Sequence, residues 1–388
     1  LIRFKEKFCL FSHKKLKGKT IWFHGASVGE LQSIIPILEK LEKNNKIKNI
    51  LITSNTLSSS KIIKKYSFKK VVHQFFPIDS KFLTEKFINY WQPTSVFFID
   101  SEIWPNMIFN LSKKNIPITL LNGRITKKTY SRWKMFPNFS NTIFNKFNFC
   151  FAASKTDLSL LKKLGAKKVE FIGNLKFSQS ENEKLLVDKN FKKFIKSKRI
   201  WCGSSTHYPE EKLCGIVHKE LKKKYKNLLT IIIPRHIERV SEIKTDLEKL
   251  NLKIHLDESR KVINEKTDIY LVNSYGKTKS FFSLCNNVFL GGSIIKHGGQ
   301  NPLEAVRYGC NILHGPNVSN FSEIYNFLKR NKIAIRVNKK ENMIYTLNKL
   351  FKKKTNSKKI KNKLNMIGKK ILTNTYKKIN LIANLDEI

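Results

Sequence analysis

The stretch His24–Glu30 brings together the residues of this sequence that are best suited to chemistry. It follows Lys19–Phe23, a short run that reads as a buried strand, and precedes Leu31–Leu41, whose apolar residues recur at helical spacing. Glu30 lies three residues after Ser27, where a capping box needs a carboxylate. A carboxylate held at the mouth of a cleft can instead take a proton from a substrate hydroxyl. The local pattern favours the cap and leaves the role of general base open.

Gly298–Glu304 is a second stretch with the character of a binding site. Its two glycines allow a ligand to approach the backbone closely, while Asn301 suits an N-cap and Pro302 the first helical position. The exposed amides of such a helix start bind phosphate, although a capped helix without a ligand would carry the same residues. Pro234-Arg235, after an apolar run, offers a guanidinium to a phosphate or forms an ordinary surface turn.

The elements that must position these residues form a repeating pattern. Apolar runs of strand length alternate with helix-spaced runs along most of the chain, and this alternation is typical of a parallel, doubly wound sheet. The pattern occurs on both sides of Ser178–Lys198, a polar, Lys-rich stretch that reads as a linker. We therefore predict an α/β fold of two Rossmann-like domains that face a central cleft, with a boundary near residue 185.

The charge of the chain is extreme. The 388 residues carry a formal net charge of +46, which fits nucleic acid, an anionic membrane face or an acidic substrate as partner. Lys heavily outnumbers Arg, the usual reader of bases and phosphates, so nucleic-acid binding is not predicted. The sequence is also rich in Asn, Ile and Phe, and compositional drift accounts for part of the Lys excess.

The cysteines and histidines show neither a disulfide nor a metal-binding pattern. None of the six cysteines forms a C-x-x-C pair, and they read as buried free thiols in a reducing compartment. The sequence has no P-loop, H-E-x-x-H or G-x-S-x-G motif, and no metal site is predicted. No apolar run approaches the roughly 18 residues that span a bilayer. The chain begins at Leu1, and its basic, apolar start reads as a helix at a membrane surface or as the remnant of a missing anchor.

Six motifs follow one another along the chain. They are H-G-A-S-V-G-E at 24–30, S-E-I-W-P-N at 101–106, G-N-L-K-F at 173–177, G-S-S-T-H at 203–207, P-R-H at 234–236 and G-G-Q-N-P-L-E at 298–304. In this order they resemble the 3-deoxy-D-manno-octulosonate (Kdo) transferases of lipopolysaccharide synthesis. The resemblance spans roughly residues 18–330.

The resemblance implies an inverting, metal-independent glycosyltransferase of the GT-B type without a cofactor. Such an enzyme moves Kdo from CMP-Kdo to the tetraacyldisaccharide 1,4'-bisphosphate precursor of lipid A, lipid IVA. It implies a place at the cytoplasmic face of the inner membrane of a Gram-negative cell. A bisphosphorylated lipid acceptor at an anionic membrane also accounts for a basic chain.

The resemblance also implies roles for individual residues. Glu30 becomes the proton acceptor, and Glu102 and Lys176 become transition-state stabilisers. The expected contacts to CMP are Pro234, Arg235, Tyr275, Gly276, Lys277, Asn301, Pro302, Leu303 and Glu304. The chain departs from the family at Lys277, where a glutamate is usual, and at Gln300, where a histidine is usual.

Four regions follow from this interpretation. Residues 1–18 form a basic amino-terminal segment, and residues 19–185 form the acceptor-binding domain. Residues 186–340 form the domain that binds the CMP-sugar. Residues 341–388 form Lys-rich helices at the carboxyl end.

The residues alone leave two other functions open. A transferase of the same fold that uses a UDP-sugar would bind ribose through a carboxylate on a donor-domain helix, and it would not need the S-E-I-W-P-N stretch. A non-enzymatic basic protein that binds anionic surfaces would not depend on Glu30.

Overall fold

A computed structural model of the chain describes residues 3–14, 18–179, 188–257, 262–353 and 356–385. The chain divides into two compact units: Leu1–Ser180 together with Asn365–Ile388, and Glu181–Leu364. The predicted boundary near residue 185 lies outside the described residues. The region 341–388, which the sequence analysis sets apart, is divided between the two units at Asn365.

The first unit contains a sheet of seven parallel strands in the order β3-β2-β1-β4-β5-β6-β7. The strands are β1 Thr20–His24, β2 Asn49–Ser54, β3 Val71–Phe75, β4 Ser95–Ile99, β5 Ile118–Gly123, β6 Phe149–Ala152 and β7 Val169–Phe171. The helices are α1 Val28–Glu42, α2 Leu57–Lys64, α3 Lys81–Trp91, α4 Pro105–Lys113, α5 Lys127–Lys134, α6 Pro137–Phe144 and α7 Lys155–Lys163, with 3-10 turns at Phe4–Phe8 and Leu175–Ser178.

The strand order of this sheet reverses between β1 and β4, which are direct neighbours although two strands separate them in sequence. In open parallel sheets such a switch point opens a crevice at the carboxyl ends of the strands. The turn after β1 and the turn after β4 therefore meet at one place. These turns carry H-G-A-S-V-G-E and S-E-I-W-P-N.

The second unit also has seven parallel strands, in the order β10-β11-β9-β8-β12-β13-β14. The strands are β8 Arg199–Thr206, β9 Leu228–Pro234, β10 Ile254–Leu256, β11 Ile269–Leu271, β12 Asn287–Leu290, β13 Asn311–His314 and β14 Ala334–Arg336. The helices are α8 Lys189–Phe194, α9 Glu210–Lys224, α10 Val240–Glu248, α11 Thr278–Phe282, α12 Leu303–Arg307, α13 Ser322–Arg330 and α14 Lys340–Phe351, with 3-10 turns at Ile195–Ser197, Ile237–Arg239 and Ser319–Phe321. The last helix, α15 Ser357–Ile382, begins in this unit and from Asn365 onward belongs to the first unit. The switch point of the second sheet lies between β8 and β12.

Two predictions about the second half are corrected. The supposed linker Ser178–Lys198 contains α8, because Asp188 caps its first turn and Phe191 and Phe194, spaced for one helical face, are buried. The apolar run Ile200–Gly203 predicts a strand that ends at Gly203, but the strand β8 continues to Thr206 and pairs with β9 through a register shift near its end.

The structure confirms that the six cysteines are free and buried. Within the described residues, no helix has the length and apolarity required to cross a bilayer. The amino-terminal segment, described over residues 3–14, forms the 3-10 turn Phe4–Phe8. Its buried Glu6 accepts a hydrogen bond from the Phe75 amide at 2.9 Å, which ties the segment to the end of β3.

Candidate active site

Glu30 completes a capping box at the start of α1. The Ser27 hydroxyl accepts a hydrogen bond from the Glu30 amide and donates one to Glu30 Oε1 at 2.8 Å. The other carboxylate oxygen, Oε2, accepts from the amides of Ala26 at 2.6 Å and Ser27 at 3.3 Å. The structural role that the local pattern favoured is therefore confirmed.

The environment of Glu30 also changes its acidity. Burial and the neighbouring carboxylates of Glu102 and Asp100 raise the pKa of Glu30 to about 7, against the opposing effect of the Ser27 hydrogen bonds. Burial and like charge both disfavour the ionised form. A carboxyl that gains and loses its proton near neutrality is suited to general base catalysis.

Asp100, which directly follows β4, is a site residue that the sequence analysis missed. Its backbone is left-handed, with φ of 58°, and its side chain accepts a hydrogen bond from Asn122 Nδ2. Asp100 Oδ2 lies 3.6 Å from Arg124 Nη1 and 3.7 Å from Lys176 Nζ. Asn122 Oδ1 also accepts from the Leu175 amide at 2.9 Å, which fixes the turn that carries Lys176.

Glu102 has different partners. Its Oε2 lies 3.2 Å from His24 Nε2 and accepts a hydrogen bond from Trp104 Nε1 at 2.9 Å. His24 is fully buried, and burial lowers its pKa despite the nearby Glu102. Its other ring nitrogen lies 2.9 Å from Thr53 Oγ1. Glu102 thus lies close enough to Glu30 to raise the pKa of Glu30. Lys176 forms its ion pair with Asp100 and not with Glu102.

Asp100 carried a signal that sequence reasoning could have used. It ends the continuous apolar run Ser95–Asp100, and the residue just after a buried parallel strand lies at the carboxyl edge of the sheet. Because the run is continuous, the sequence predicts Asp100 as the last residue of the strand and leaves Glu30 as the only strand-end carboxylate of its kind. That interpretation is wrong, because the carboxylates of Asp100 and Glu102 both act on Glu30.

In the second unit, the predicted nucleotide-binding residues follow β9 and β11. The exposed Arg235 comes directly after β9, and its amide donates to the Thr206 carbonyl at 2.9 Å. Tyr275 is 64% exposed, and Gly276 has a φ of 86° that favours glycine. Lys277 Nζ donates to Asp257 Oδ2 at 2.8 Å. The lysine that stands where the family usually has a glutamate therefore forms an ion pair with Asp257.

The N-cap of the helix that starts in Asn301–Glu304 lies one residue later than predicted. Pro302 is the N-cap and not the first helical residue, because its carbonyl accepts the first helical hydrogen bond, from the Val306 amide. Asn301 Oδ1 accepts from the Leu303 amide at 3.1 Å. The helix, α12, has only five residues, so it aligns few peptide dipoles toward a phosphate.

Glu210, at the start of α9, is a second functional candidate that the sequence analysis missed. It is fully buried, and its carboxylate accepts four backbone hydrogen bonds. The donors are the amides of His207 at 3.1 Å, Gly292 at 2.7 Å, Ser293 at 3.0 Å and Ile294 at 2.9 Å. The Gly292 carbonyl in turn accepts from the Gly299 amide at 2.8 Å. Glu210 therefore anchors the turn after β12, which holds the Gly298–Glu304 stretch.

Three histidines gather around the end of β8. The His207 ring centre lies 4.5 Å from that of His297 and 5.6 Å from that of His236. Burial and the adjacent His297 lower the pKa of His207 to about 4. A cavity of about 370 Å³ beside this cluster is lined by Lys296, His297, Gly298, Pro316, Asn317, Val318, Ser319 and Ser322. In the part of the chain that the structure describes, no three His, Cys, Asp or Glu side chains are grouped as metal ligands.

The chain has a solved structural neighbour. The UDP-GlcNAc 2-epimerase of Neisseria meningitidis, bound to UDP-GlcNAc, matches with a TM-score of 0.64 at 13% sequence identity, covering 95% of this chain and 100% of that one. At this identity the likeness shows the fold alone. It confirms the predicted GT-B type of α/β fold.

Sequence comparison identifies the family. A family model described as 3-deoxy-D-manno-octulosonic-acid transferase (kdotransferase) matches residues 2–179. The 3-deoxy-D-manno-octulosonic acid transferase of Rickettsia bellii is 32% identical over 364 residues, covering 93% of this chain and 86% of that protein. The Haemophilus influenzae protein of the same name is 29% identical over 322 residues, covering 82% and 75%. The chain therefore belongs to the family of 3-deoxy-D-manno-octulosonic acid (Kdo) transferases, which are glycosyltransferases.

Proposed function

We propose that this protein transfers Kdo from CMP-Kdo to a hydroxyl of lipid IVA, with inversion and with Glu30 as the proton acceptor. The observation that carries the proposal is the carboxyl of Glu30 at a sheet switch point, with its pKa raised to about 7 by burial and by Glu102 and Asp100. At neutral pH such a group is partly ionised and accepts a proton more readily than an ordinary glutamate.

In the proposed reaction, the acceptor oxygen attacks the anomeric carbon of Kdo while Glu30 takes the hydroxyl proton. The bond between the anomeric carbon and the phosphate oxygen breaks, and CMP leaves with the electron pair. Sugar transfer of this kind passes through an oxocarbenium-like transition state. The carboxylates of Asp100 and Glu102 stabilise its positive charge, which extends to Asp100 the role assigned to Glu102.

Lys176 is proposed to offset the negative charge that develops on the leaving group. Its ammonium lies 3.7 Å from Asp100 Oδ2, and its turn is fixed through Asn122. A cation held in place before the reaction stabilises charge without reorganisation. Asp100 thereby acts also as the residue that positions Lys176.

The second unit is proposed to bind CMP-Kdo through the predicted residues. Arg235 suits the phosphate, because its guanidinium is exposed at the end of β9. Lys277 contributes through its backbone, since its side chain pairs with Asp257. The backbone amides after Asn301 contribute as hydrogen-bond donors from a short loop. The dipole of the short helix α12 contributes less. The cavity beside Lys296 and His297 suits the carboxylate of the acidic sugar.

The partners follow from the acceptor. Lipid IVA carries two phosphates and lies in an anionic membrane, and the net charge of +46 favours both. We propose that the protein works at the cytoplasmic face of the inner membrane and binds neither nucleic acid nor a metal for this reaction.

Replacement Glu30→Gln tests the proton acceptor. We expect turnover of CMP-Kdo with lipid IVA, measured by mass analysis of the product, to fall by about 100-fold or more, because glutamine cannot take the proton. The matched control is Glu39→Gln on the same helix, which should retain normal turnover and melting temperature. Turnover of Glu30→Gln within twofold of the unmodified protein would refute the role of Glu30.

A thermal-shift comparison of CMP with UDP tests the donor. A ligand that binds only the folded protein stabilises it by about 2.7 kcal/mol at a concentration 100 times its Kd. We expect CMP to raise the melting temperature and UDP to have little effect. Stabilisation by UDP alone would contradict CMP-Kdo as donor and favour a UDP-sugar transferase.

A further inference from the structure

Helix α15 contains a single glycine, Gly368, in its interior. Glycine is a poor helix former, and alanine at such a position usually makes a helix more stable. A glycine inside a helix therefore calls for a reason in the packing. Gly368 is buried, and it lies on the part of α15 that belongs to the first unit.

The reason is the backbone against which α15 packs. A Cβ on Gly368 would lie 2.4 Å from the Phe177 carbonyl oxygen and 3.2 Å from Ser178 Cα. The first distance is well below ordinary contact, and a backbone carbonyl cannot turn aside as the end of a flexible side chain can. Glycine thus lets α15 lie directly on the 3-10 turn Leu175–Ser178, which carries Lys176.

The same face of α15 meets this part of the chain a second time. Ile371 is 7% exposed, and a Cβ on Gly173 would lie 2.9 Å from Ile371 Cδ1. Gly368 and Ile371 are three residues apart, so they lie on one side of the helix. We call residues 173–178 the Lys176 turn. Helix α15 therefore packs against the Lys176 turn at its first residue and again near its end.

Helix α15 is itself fixed on the first unit by other contacts. Lys378 Nζ lies 2.7 Å from Oε2 of Glu170 in β7. Lys40 Nζ of α1 lies 5.3 Å from the centre of the Tyr376 ring, and Ile379 is fully buried. The helix is therefore a firm support for the turn that it covers.

The Lys176 turn is closed by its own hydrogen bonds. Asn174 Oδ1 accepts from the Lys176 amide at 2.9 Å, and the Ser178 hydroxyl donates to the Leu175 carbonyl at 2.7 Å. The Phe177 amide donates to the Asn174 carbonyl at 3.0 Å. Because these bonds make the turn one compact body, a displacement at the Phe177 carbonyl reaches Lys176, the residue before it.

We propose that Gly368 is a positioning residue, which lets α15 approach the Lys176 turn closely and thereby sets the place of Lys176 beside Asp100. The close approach of α15 acts together with the hydrogen bond from the Leu175 amide to Asn122. This inference rests on the proposed role of Lys176 in transfer. A group displaced by about 1 Å from its working position can lower turnover on the order of 100-fold.

Kinetics of Gly368→Ala tests the proposal. The added methyl group displaces the Lys176 turn, so kcat with CMP-Kdo and lipid IVA should fall about 10-fold or more. The KM for CMP-Kdo should stay within twofold, since the donor is proposed to bind through residues of the second unit. A normal kcat in Gly368→Ala would overturn the proposal.

A double-mutant cycle shows whether Gly368 acts through Lys176. The reference is Lys176→Ala, and the double variant G368A/K176A should turn over no more slowly than K176A alone, because the group that is misplaced has already been removed. Losses that multiply in the double variant would show that Gly368 acts by another route, and would overturn the proposal.

Amide hydrogen exchange reports on the Lys176 turn independently of activity. Peptides that contain Leu175 and Lys176 should exchange about tenfold faster in Gly368→Ala, because the bonds to Asn122 and Asn174 are disturbed. Unchanged exchange there would overturn the proposal. If Lys176→Ala kept normal turnover, the proposed role of Lys176 in transfer would fail, whereas faster exchange in Gly368→Ala would still support its placement by α15.

Two matched controls separate this contact from general destabilisation. Gly215→Ala crowds another buried helical glycine, whose Cβ would lie 2.5 Å from Leu247 Cδ2 in the second unit. Lys370→Ala changes an exposed residue of α15. Both variants should keep normal kcat and normal exchange in the Lys176 turn, and equal effects in these controls would overturn the proposal.

Ile371→Ala probes the same contact without a clash, and it serves if Gly368→Ala does not fold. Loss of the side chain that packs on Gly173 should speed exchange in the Lys176 turn and lower kcat, with no further loss when Lys176→Ala is present. Normal exchange in Ile371→Ala would overturn the placement of the turn by α15.

Discussion

At the scale of single residues, Glu30 fulfils its structural role without using up its capacity as a base. Its two oxygens accept three hydrogen bonds, from the Ala26 amide and from the amide and hydroxyl of Ser27. A carboxylate offers about four acceptor positions, so one remains for a substrate hydroxyl. The same bonds hold the carboxylate in a single orientation. The cap and the proposed base are therefore two uses of one group.

The raised pKa of Glu30 predicts that the midpoint of the pH profile of turnover shifts in opposite directions in two variants. The ionised form is the base, so turnover should rise with pH around a midpoint near 7. Glu102→Gln removes a like charge, which lowers the pKa of Glu30 and moves the midpoint to lower pH. Ser27→Ala removes a hydrogen bond that lowers this pKa, which moves the midpoint to higher pH.

Single-turnover rates measured from pH 5 to 9 check both shifts, and Glu39→Gln serves as the control with an unchanged midpoint. The position of the midpoint is diagnostic even where the maximal rate falls, as expected for Glu102→Gln. Midpoints that move in the same direction in both variants would show that another group controls the profile.

At the scale of elements, the turns after β8 and β12 depend on one buried carboxylate. Glu210 receives four amide donors from these turns. An added Cβ on Gly291 would lie 2.5 Å from the Ser205 carbonyl oxygen, so the turns also pack too closely for any side chain at that position. The loop that carries Asn301 rests on this arrangement through the bond from Gly299 to Gly292.

Replacement Glu210→Gln should weaken nucleotide binding from a distance. A glutamine has one accepting oxygen, and its NH₂ group would face amide donors, which leaves buried groups unsatisfied at a cost of about 1–3 kcal/mol each. We expect a lower melting temperature and a KM for CMP-Kdo that rises more than kcat falls. Glu211→Gln, the buried neighbour that pairs with Arg239, controls for general destabilisation. An unchanged CMP affinity in Glu210→Gln would refute the role of Glu210 in positioning the loop.

The elements differ in how well their sequences reveal them. The sequence predicts strands over Asn287–Leu290 and Asn311–His314, and the structure has both with these bounds, because strands covered on both faces read as continuous apolar runs. The edge strand Ala334–Arg336 was missed, since it has three residues and only Ala334 is buried. Helix α13 was missed as well, although it is amphipathic, with one apolar and one polar face.

At the scale of the whole molecule, the two sheets enclose separate cores and hold all six cysteines inside them. The cysteines are Cys9, Cys150, Cys202, Cys214, Cys285 and Cys310, none more than 3% exposed. Burial raises the pKa of the Cys9 thiol to about 11 and keeps the other shifted thiols protonated as well. A thiol that is both buried and protonated reacts slowly.

Thiol labelling by a disulfide reagent gives a prediction for the whole fold. At pH 8 the native protein should react at none of its cysteines over minutes, whereas the protein unfolded in urea should react at all six. The number of thiols released, measured by absorbance, checks this. Rapid labelling of the native protein would show that one of the cores opens readily.

The sequence by itself determined the features that depend on neighbours along the chain. Alternating strands and helices fixed the α/β class, and the spacing of Ser27 and Glu30 fixed the capping box, because its partners lie within one helical turn. Six motifs in order were enough to indicate the family.

Only the tertiary structure decided which distant residues act together. Asp100 and Glu102 raise the pKa of Glu30, Asp100 pairs with Lys176, and Glu210 holds Gly292 and its neighbours. Each of these contacts joins residues about 70 or more positions apart. They form because parallel strands bring their carboxyl ends to one edge, in an order that the pairing of strands sets and the linear sequence does not state.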